Sequence, residues 1–247
     1  MRRFLVATEL VPGESLTIDG ELYRHMVRVL RLHPEDLVIL CDVVGAEFTA
    51  VIRRIDSRSL ILDILDRHSI SIDRQGIPAM TLVQGLPRSD KFDLIIQKAT
   101  ELGVHSIIAF PSSRSVVKIP KAQLATKITR WNKIASEASR QSERTTVPAV
   151  TYAETLEAAL QGAGQSVKLL LFEREQTNRL RETLAGIDRP DKVTILAGPE
   201  GGFSETEVSS ARSNGCVTVS LGPRILRTET AGIAMLAILQ YQWGDIG

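Results

Sequence analysis

From about Ile72 onward, apolar runs of strand length alternate with segments of helical period, and this alternation limits the fold more than any other feature. The runs are Met80 to Val83, Ile107 to Phe110, Val167 to Phe172, Val193 to Ala197 and Cys216 to Leu221. Continuous apolar runs of this length suit strands buried on both faces, and strands separated by helices pair in parallel. The expectation is an α/β domain on a mainly parallel sheet. Between two of the runs, Phe92, Ile95, Ile96, Ala99 and Leu102 recur at helical spacing, with Lys98 and Glu101 off the apolar stripe and Gly103 as a stop signal. Ser204 followed by Glu207 forms a capping box, so another helix starts directly after the glycine turn at Gly201 and Gly202.

The first part of the chain reads differently. Arg3 to Ala7, Ser15 to Ile18, Leu37 to Asp42, Glu47 to Arg53 and Leu60 to Leu65 are short β-rich pieces between Pro-Gly, Asp-Gly and Val-Gly turn signals, which predicts a compact β-barrel. Glu21 to Leu32 interrupts them as an amphipathic helix, with Leu22, Met26, Val29 and Leu30 on one stripe and Arg24, Arg28 and Arg31 largely elsewhere.

Charge narrows the function classes. Lys+Arg at 30 nearly cancel Asp+Glu at 29, so net charge gives no ground for a general polyanion-binding surface and any basic surface is local. Residues 111 to 148 are such a region: Arg114, Lys118, Lys121, Lys127, Arg130, Lys133, Arg140 and Arg144 face only Glu137 and Glu143. A run of this kind is a solvated helix face or a phosphate-binding surface; Trp131, Gln141 and Ser142 among the cations favour the second. Cys41 and Cys216 lie far apart without Cys or His companions at ligand spacing, which argues against disulfides and zinc and for a reducing, cytoplasmic setting. His25, His33, His68 and His105 show no metal-ligand spacing and read as hydrogen-bonded or core histidines. The opening MRRFLVATELVPG is broken too early by Thr8 and Glu9 for an export signal, and Ala231 to Leu239 is too short to span a bilayer and reads as a buried helix.

Two stretches carry chemistry. Leu196-Ala-Gly-Pro-Glu-Gly-Gly202 and Leu221-Gly-Pro-Arg-Ile-Leu-Arg-Thr-Glu-Thr-Ala231 each follow a strand and precede a helix, where open α/β sheets place their ligands. The first is neither a dinucleotide fingerprint nor a Walker loop, and a tight turn explains its glycines but not Glu200. The second crowds Arg224, Arg227 and Glu229 around the apolar pair Ile225 and Leu226. A third stretch, Lys91 to Leu102, reads by itself as a solubilised helix.

Taken together, KFDLIIQKATELGV (91 to 104), RWNKIASEASRQSERTTVP (130 to 148), GPEGGFSETE (198 to 207) and LGPRILRTETA (221 to 231) resemble the bacterial 16S ribosomal RNA uridine-N3 methyltransferases, the RsmE family of the SPOUT superfamily. HMVRVLRLHPED (25 to 36) is similar to the family's H-x-x-x-V-L-R pattern, with Pro34 where a glycine-aspartate turn is more usual. The resemblance implies a PUA-like β-barrel RNA-binding domain over 1–72 and a SPOUT methyltransferase domain over 73–247 with a C-terminal trefoil knot. It also implies a homodimer that uses S-adenosylmethionine and acts on 16S ribosomal RNA in the assembled 30S subunit. The cofactor pocket would be lined by Leu171, Leu196, Gly198, Pro199, Glu200, Gly201, Leu221, Gly222, Ile225, Leu226 and Arg227.

Uracil N3 carries an imide proton, so the reaction needs a base or a cation beside it. Arg227 is the candidate for stabilising negative charge, or is tied in an ion pair to Glu229; Glu200 orients donors or accepts a proton. Arg24, Arg28, Arg31, Arg140 and Arg144 are the candidate RNA contacts. Another SPOUT methylation, ribose 2′-O or guanine-N1, and a non-catalytic RNA-binding ribosome-assembly factor are the competing readings.

Overall fold

A computed structural model describes residues 1–43, 45–68, 77–88 and 90–246. They form two compact units, one within Met1–Ile72 and Ser139–Thr146, the other within Asp73–Ala138 and Val147–Gly247. The expected boundary at 72–73 lies outside the described residues.

The first unit holds β1 (Arg2–Leu5), β2 (Ser15–Asp19), β3 (Leu37–Cys41), β4 (Glu47–Ile55) and β5 (Ser59–Arg67), in the spatial order β1-β3-β4-β5-β2. β1 runs parallel to β3; the other neighbours are antiparallel. Alternation sends Phe48, Ala50 and Ile52 of β4 and Leu60, Leu62 and Ile64 of β5 inward to meet Phe4, Met26 and Leu40. Register shifts at Thr49/Ala50 and Ile52/Arg54 mark bulges, which curl a sheet around its core. The series ends at β1 and β2 without a closing pair among the described residues, so the expected barrel is a half-barrel.

The helix between β2 and β3 departs from expectation. α1 (Gly20–Arg24) widens into a π turn over His25–Val29, where the Leu30 amide donates to the His25 carbonyl at 3.0 Å. One extra residue in a turn rotates everything after it around the axis. Of the expected stripe, Met26 is buried and Leu22 and Leu30 pack against the core, while Val29, inside the π turn, is 66% exposed.

In the second unit, β6 (Ala79–Gly85), β7 (Ser106–Phe110), β8 (Ala149–Tyr152), β9 (Val167–Leu171), β10 (Lys192–Ala197) and β11 (Cys216–Val219) form one parallel sheet in the order β11-β9-β10-β6-β7-β8. Helices cover both faces. Ile107, Ala109, Val193 and Ile195 point to the face packed by α2 (Lys91–Glu101), α3 (Lys121–Gln141) and α7 (Thr228–Trp243). Ile108, Phe110, Leu170 and Leu196 point to the face packed by α4 (Leu156–Gly162) and α6 (Glu205–Ser213). A short α5 (Leu180–Ala185) adds Leu180 and Leu184 to the first face.

Three local signals act as read. The apolar stripe of α2 is buried at Phe92, Ile95, Ile96 and Ala99, and Gly103 beyond its end adopts φ +79. Gln240 of α7 donates to the Leu102 carbonyl at 2.8 Å, tying the two helices at this point. The Ser204–Glu207 capping box opens α6. Trp131, by contrast, is no surface aromatic. Its ring meets Phe92 edge-on at 4.7 Å and is 4% exposed, because its place on α3 faces the sheet.

Candidate functional site

The loops that leave the ends of β9, β10 and β11 line one cavity of about 500 Å³ in the second unit. Its walls bring together Leu171, Gly198, Pro199, Glu200, Gly201, Leu221, Gly222, Ile225, Leu226 and Arg227, all expected from the sequence. Leu196 is the exception. As a residue of β10 that alternates toward α4 and α6 it is wholly buried in that core and does not reach the cavity.

The glycine loop after β10 is shaped from below, from within and from beside. Below it, Gly85 leaves room for Pro199: a Cβ there would stand 2.6 Å from the proline Cδ and 2.9 Å from its nitrogen. Within it, Gly202 takes φ +66, a backbone state open to glycine at little cost. Beside it, the Arg114 guanidinium donates to the Gly201 carbonyl at 3.1 Å, and Ser113 donates through N and Oγ to Glu207, the same carboxylate that caps α6. The basic run after β7 thus contributes a local brace.

Glu200 ties the loop to the segment that opens α2. It accepts from the Arg88 amide at 3.1 Å and pairs with the Lys91 ammonium at 3.1 Å. Burial raises the carboxyl pKa, but hydrogen bonds from its own and the Arg88 backbone, with Lys91 beside it, prevail and hold it below the ordinary value. Glu200 is therefore an ionised anchor and a weak base. Lys91 also pairs with Glu229 of α7 at 3.3 Å, so one ammonium joins both ligand loops. The hydrogen bond to Glu200 chiefly holds its pKa above the usual lysine range.

Arg227 sits at the residue before α7, where its carbonyl accepts the Thr230 and Ala231 amides at 2.9 Å. Its side chain is exposed and forms no ion pair among the described residues; the alternative pairing with Glu229 is not made, because Glu229 turns to Lys91. Ile225 stands 83% exposed at the cavity lip. Lys91, Arg114, Glu173 and Thr228 belong to the site or its braces without having been singled out for it. Their partners are remote in sequence, so no local period marks them; Lys91, Arg114 and Thr228 lie within stretches noted from the sequence, but nothing there pointed to these contacts.

Arg24, Arg28, Arg31, Arg140 and Arg144 all lie in the first unit. Arg140 stands with Nη1 3.0 Å from His25 Nε2. Burial, then the charges of Arg140 and Arg2, lower the His25 pKa, leaving a neutral ring whose Nε2 accepts from the guanidinium. His68 Nε2 meets Thr49 Oγ1 at 2.6 Å, whereas His33 and His105 are exposed. Among the described residues no group of three or more His, Cys, Asp or Glu side chains converges as a metal site, and no helix is long and apolar enough to cross a membrane.

The chain matches known proteins over nearly all its length. An RNA methyltransferase domain family matches residues 75–240 and an RNA methyltransferase PUA domain family residues 18–65. Ribosomal RNA small subunit methyltransferase E of Bacillus subtilis (strain 168) is 32% identical over 244 residues, covering 96% of this chain and 94% of that protein. Among solved structures, the ribosomal RNA small subunit methyltransferase E of Neisseria gonorrhoeae bound to S-adenosyl methionine has a TM-score of 0.84 at 30% identity, covering 100% of each chain. A methyltransferase of Legionella pneumophila solved with its bound cofactor SAM has a TM-score of 0.83 at 30% identity, covering 97% of this chain and 96% of that one.

Proposed function

Since this chain belongs to the RNA methyltransferase family, with a PUA domain ahead of the methyltransferase domain, we propose that it methylates N3 of a uridine in 16S ribosomal RNA with S-adenosylmethionine as donor. The observation that carries this reading is the convergence of the loops after β9, β10 and β11 on one cavity. We further propose that the substrate is the assembled 30S subunit in the cytoplasm, and that the chain between β11 and α7 completes a trefoil knot.

The residues present fit the donor. The cavity volume is in the range of small-molecule sites. Leu171, Leu221 and Leu226 offer apolar walls, the backbones of Gly198 to Gly202 and Leu221 to Arg227 offer polar groups, and the glycine loop is already shaped by the contacts beneath and beside it. When bound, S-adenosylmethionine supplies a methyl group activated by a cationic sulfonium.

What the protein must do is hold the uracil in line and stabilise the charge left when N3 loses its proton. Arg227 is suited to this because it lines the cavity, and its guanidinium stays charged and has no competing carboxylate among the described residues. Glu200, ionised and doubly anchored, positions the loop and is not the base. The arginines of the first unit position the RNA through its phosphates, which makes binding salt-dependent with a slope of about −0.7 per phosphate contact on single-stranded RNA. α7 exposes Ile238 and Tyr241, an apolar surface suited to a second copy of the chain.

Incubation with labelled S-adenosylmethionine and undermethylated 30S particles, followed by mass analysis of nucleosides, tests the reading. N3-methyluridine is the expected product. A 2′-O-methylated nucleoside or 1-methylguanosine would overturn the target atom, and absence of both transfer and cofactor binding would leave an RNA-binding assembly factor.

A further inference from the structure

Gln84, the residue before Gly85 in β6, is wholly buried. Its Nε2 lies 3.0 Å from the Gly85 carbonyl, 3.2 Å from the Gly198 carbonyl and 3.1 Å from Thr228 Oγ1. Two carbonyl acceptors leave no freedom in the orientation of the amide: its NH₂ end faces them. Thr228 Oγ1 donates in turn to the Gly198 carbonyl at 2.5 Å, so its lone pairs are open to Gln84. The three residues close a hydrogen-bonded triangle.

The corners of that triangle are informative. Gly198 begins the glycine loop, and Thr228 begins α7 directly after Arg227. Gln84 belongs to neither loop and does not line the cavity. Its Oε1 is buried without a hydrogen-bond partner among the described residues, which costs stability. A methionine has similar length and would avoid that cost, so packing alone does not account for an amide here. We propose that Gln84 is a positioning residue for the methyl-donor site, setting the separation between the glycine loop and the Arg227 loop before the donor arrives. The inference rests on the donor assignment made above, and adds to it a residue outside the cavity that acts through Gly198 and Thr228.

The test is calorimetric titration of S-adenosylmethionine into the full chain and into Gln84→Met, Thr228→Val, Thr228→Ser and the Gln84→Met/Thr228→Val double variant, with thermal melting of each. The expected result is about a tenfold rise in Kd for each disrupting single variant, the worth of one such hydrogen bond. Thr228→Ser, which keeps the hydroxyl, stays near wild type. The double variant is weakened about as much as either single one, because both cut the same triangle. In turnover, KM for the donor rises while KM for RNA is unchanged, a split that general destabilisation would not produce. Folded Gln84→Met with wild-type Kd, or effects that add in the double variant, would overturn the proposal while leaving the donor reading intact. A wild-type chain that binds no donor would remove both. If Gln84→Met does not fold, Thr228→Val against Thr228→Ser decides the matter by the same readings.

Discussion

Replacing Gly85 with alanine asks whether the glycine loop is shaped by what lies beneath it. The new Cβ would stand 2.6 Å from Pro199 Cδ and 2.9 Å from Pro199 N, against about 3.4 Å for an ordinary contact, so the proline must retreat by about 0.8 Å. Its ring is rigid and its nitrogen is backbone, so the loop moves as a piece. The Gly198 carbonyl, now 3.2 Å from Gln84 Nε2, would then pass to about 4 Å, beyond hydrogen-bond range. Gly85 has no positive φ, so alanine adds no backbone strain and the change isolates packing. Overpacking costs about 1–3 kcal/mol, and up to about 1 kcal/mol returns through the stiffer unfolded chain. The expected outcome is a Tm lower by a few degrees and a Kd for S-adenosylmethionine raised about tenfold or more, since small misplacements in a preformed site weaken it steeply. Gly186→Ala is the control: its Cβ meets nothing nearer than 3.7 Å and it lies outside the cavity. A Gly85→Ala protein with wild-type Tm and Kd would refute the reasoning.

Other outcomes follow from single residues. Glu175 accepts from Thr177 N and Oγ1 at 2.9 and 2.6 Å and from Thr218 Oγ1 at 2.5 Å, and the hydrogen bonds from Thr177 and then Thr218, against burial, bring its pKa to about 2. The folded value is below the ordinary 4.5, so its contribution is complete above pH 4.5 and is lost as pH falls toward 2. Urea midpoints across that window should fall more steeply for the wild type than for Glu175→Gln, and parallel curves would contradict the assignment. Trp131→Ala should cost about 3–5 kcal/mol in denaturant unfolding and leave RNA affinity of the folded protein unchanged; the reverse pattern would return Trp131 to the RNA surface. Arg227→Ala should slow single-turnover methyl transfer by about a hundredfold with near-normal donor affinity, whereas an unchanged rate removes it from the chemistry.

Much of the fold is legible because its signals are local. Strand-length apolar runs place β6, β7, β9, β10 and β11, but β8 was not among them: Ala149–Tyr152 is four residues long with a single buried side chain at Val150, too short for alternation to register. The helix after β2 was visible, and of its expected inward face only Val29 was misread, because a π turn changes the period that the reading assumes. Trp131 was misread for a related reason. A charge run describes one side of a helix, and an aromatic inside the run sits on whichever side its own position dictates.

Within the site, the amino-acid order alone determined the two ligand loops, their places after strands and before helices, and the capping box that starts α6, since each depends on neighbours a few positions away. Only the tertiary structure decided that Lys91 joins Glu200 to Glu229, that Arg114 braces Gly201, and that Gln84 ties Gly198 to Thr228. Those contacts connect segments far apart along the chain, and the sheet that brings them together imposes a distance between residues that no periodicity in either segment can encode.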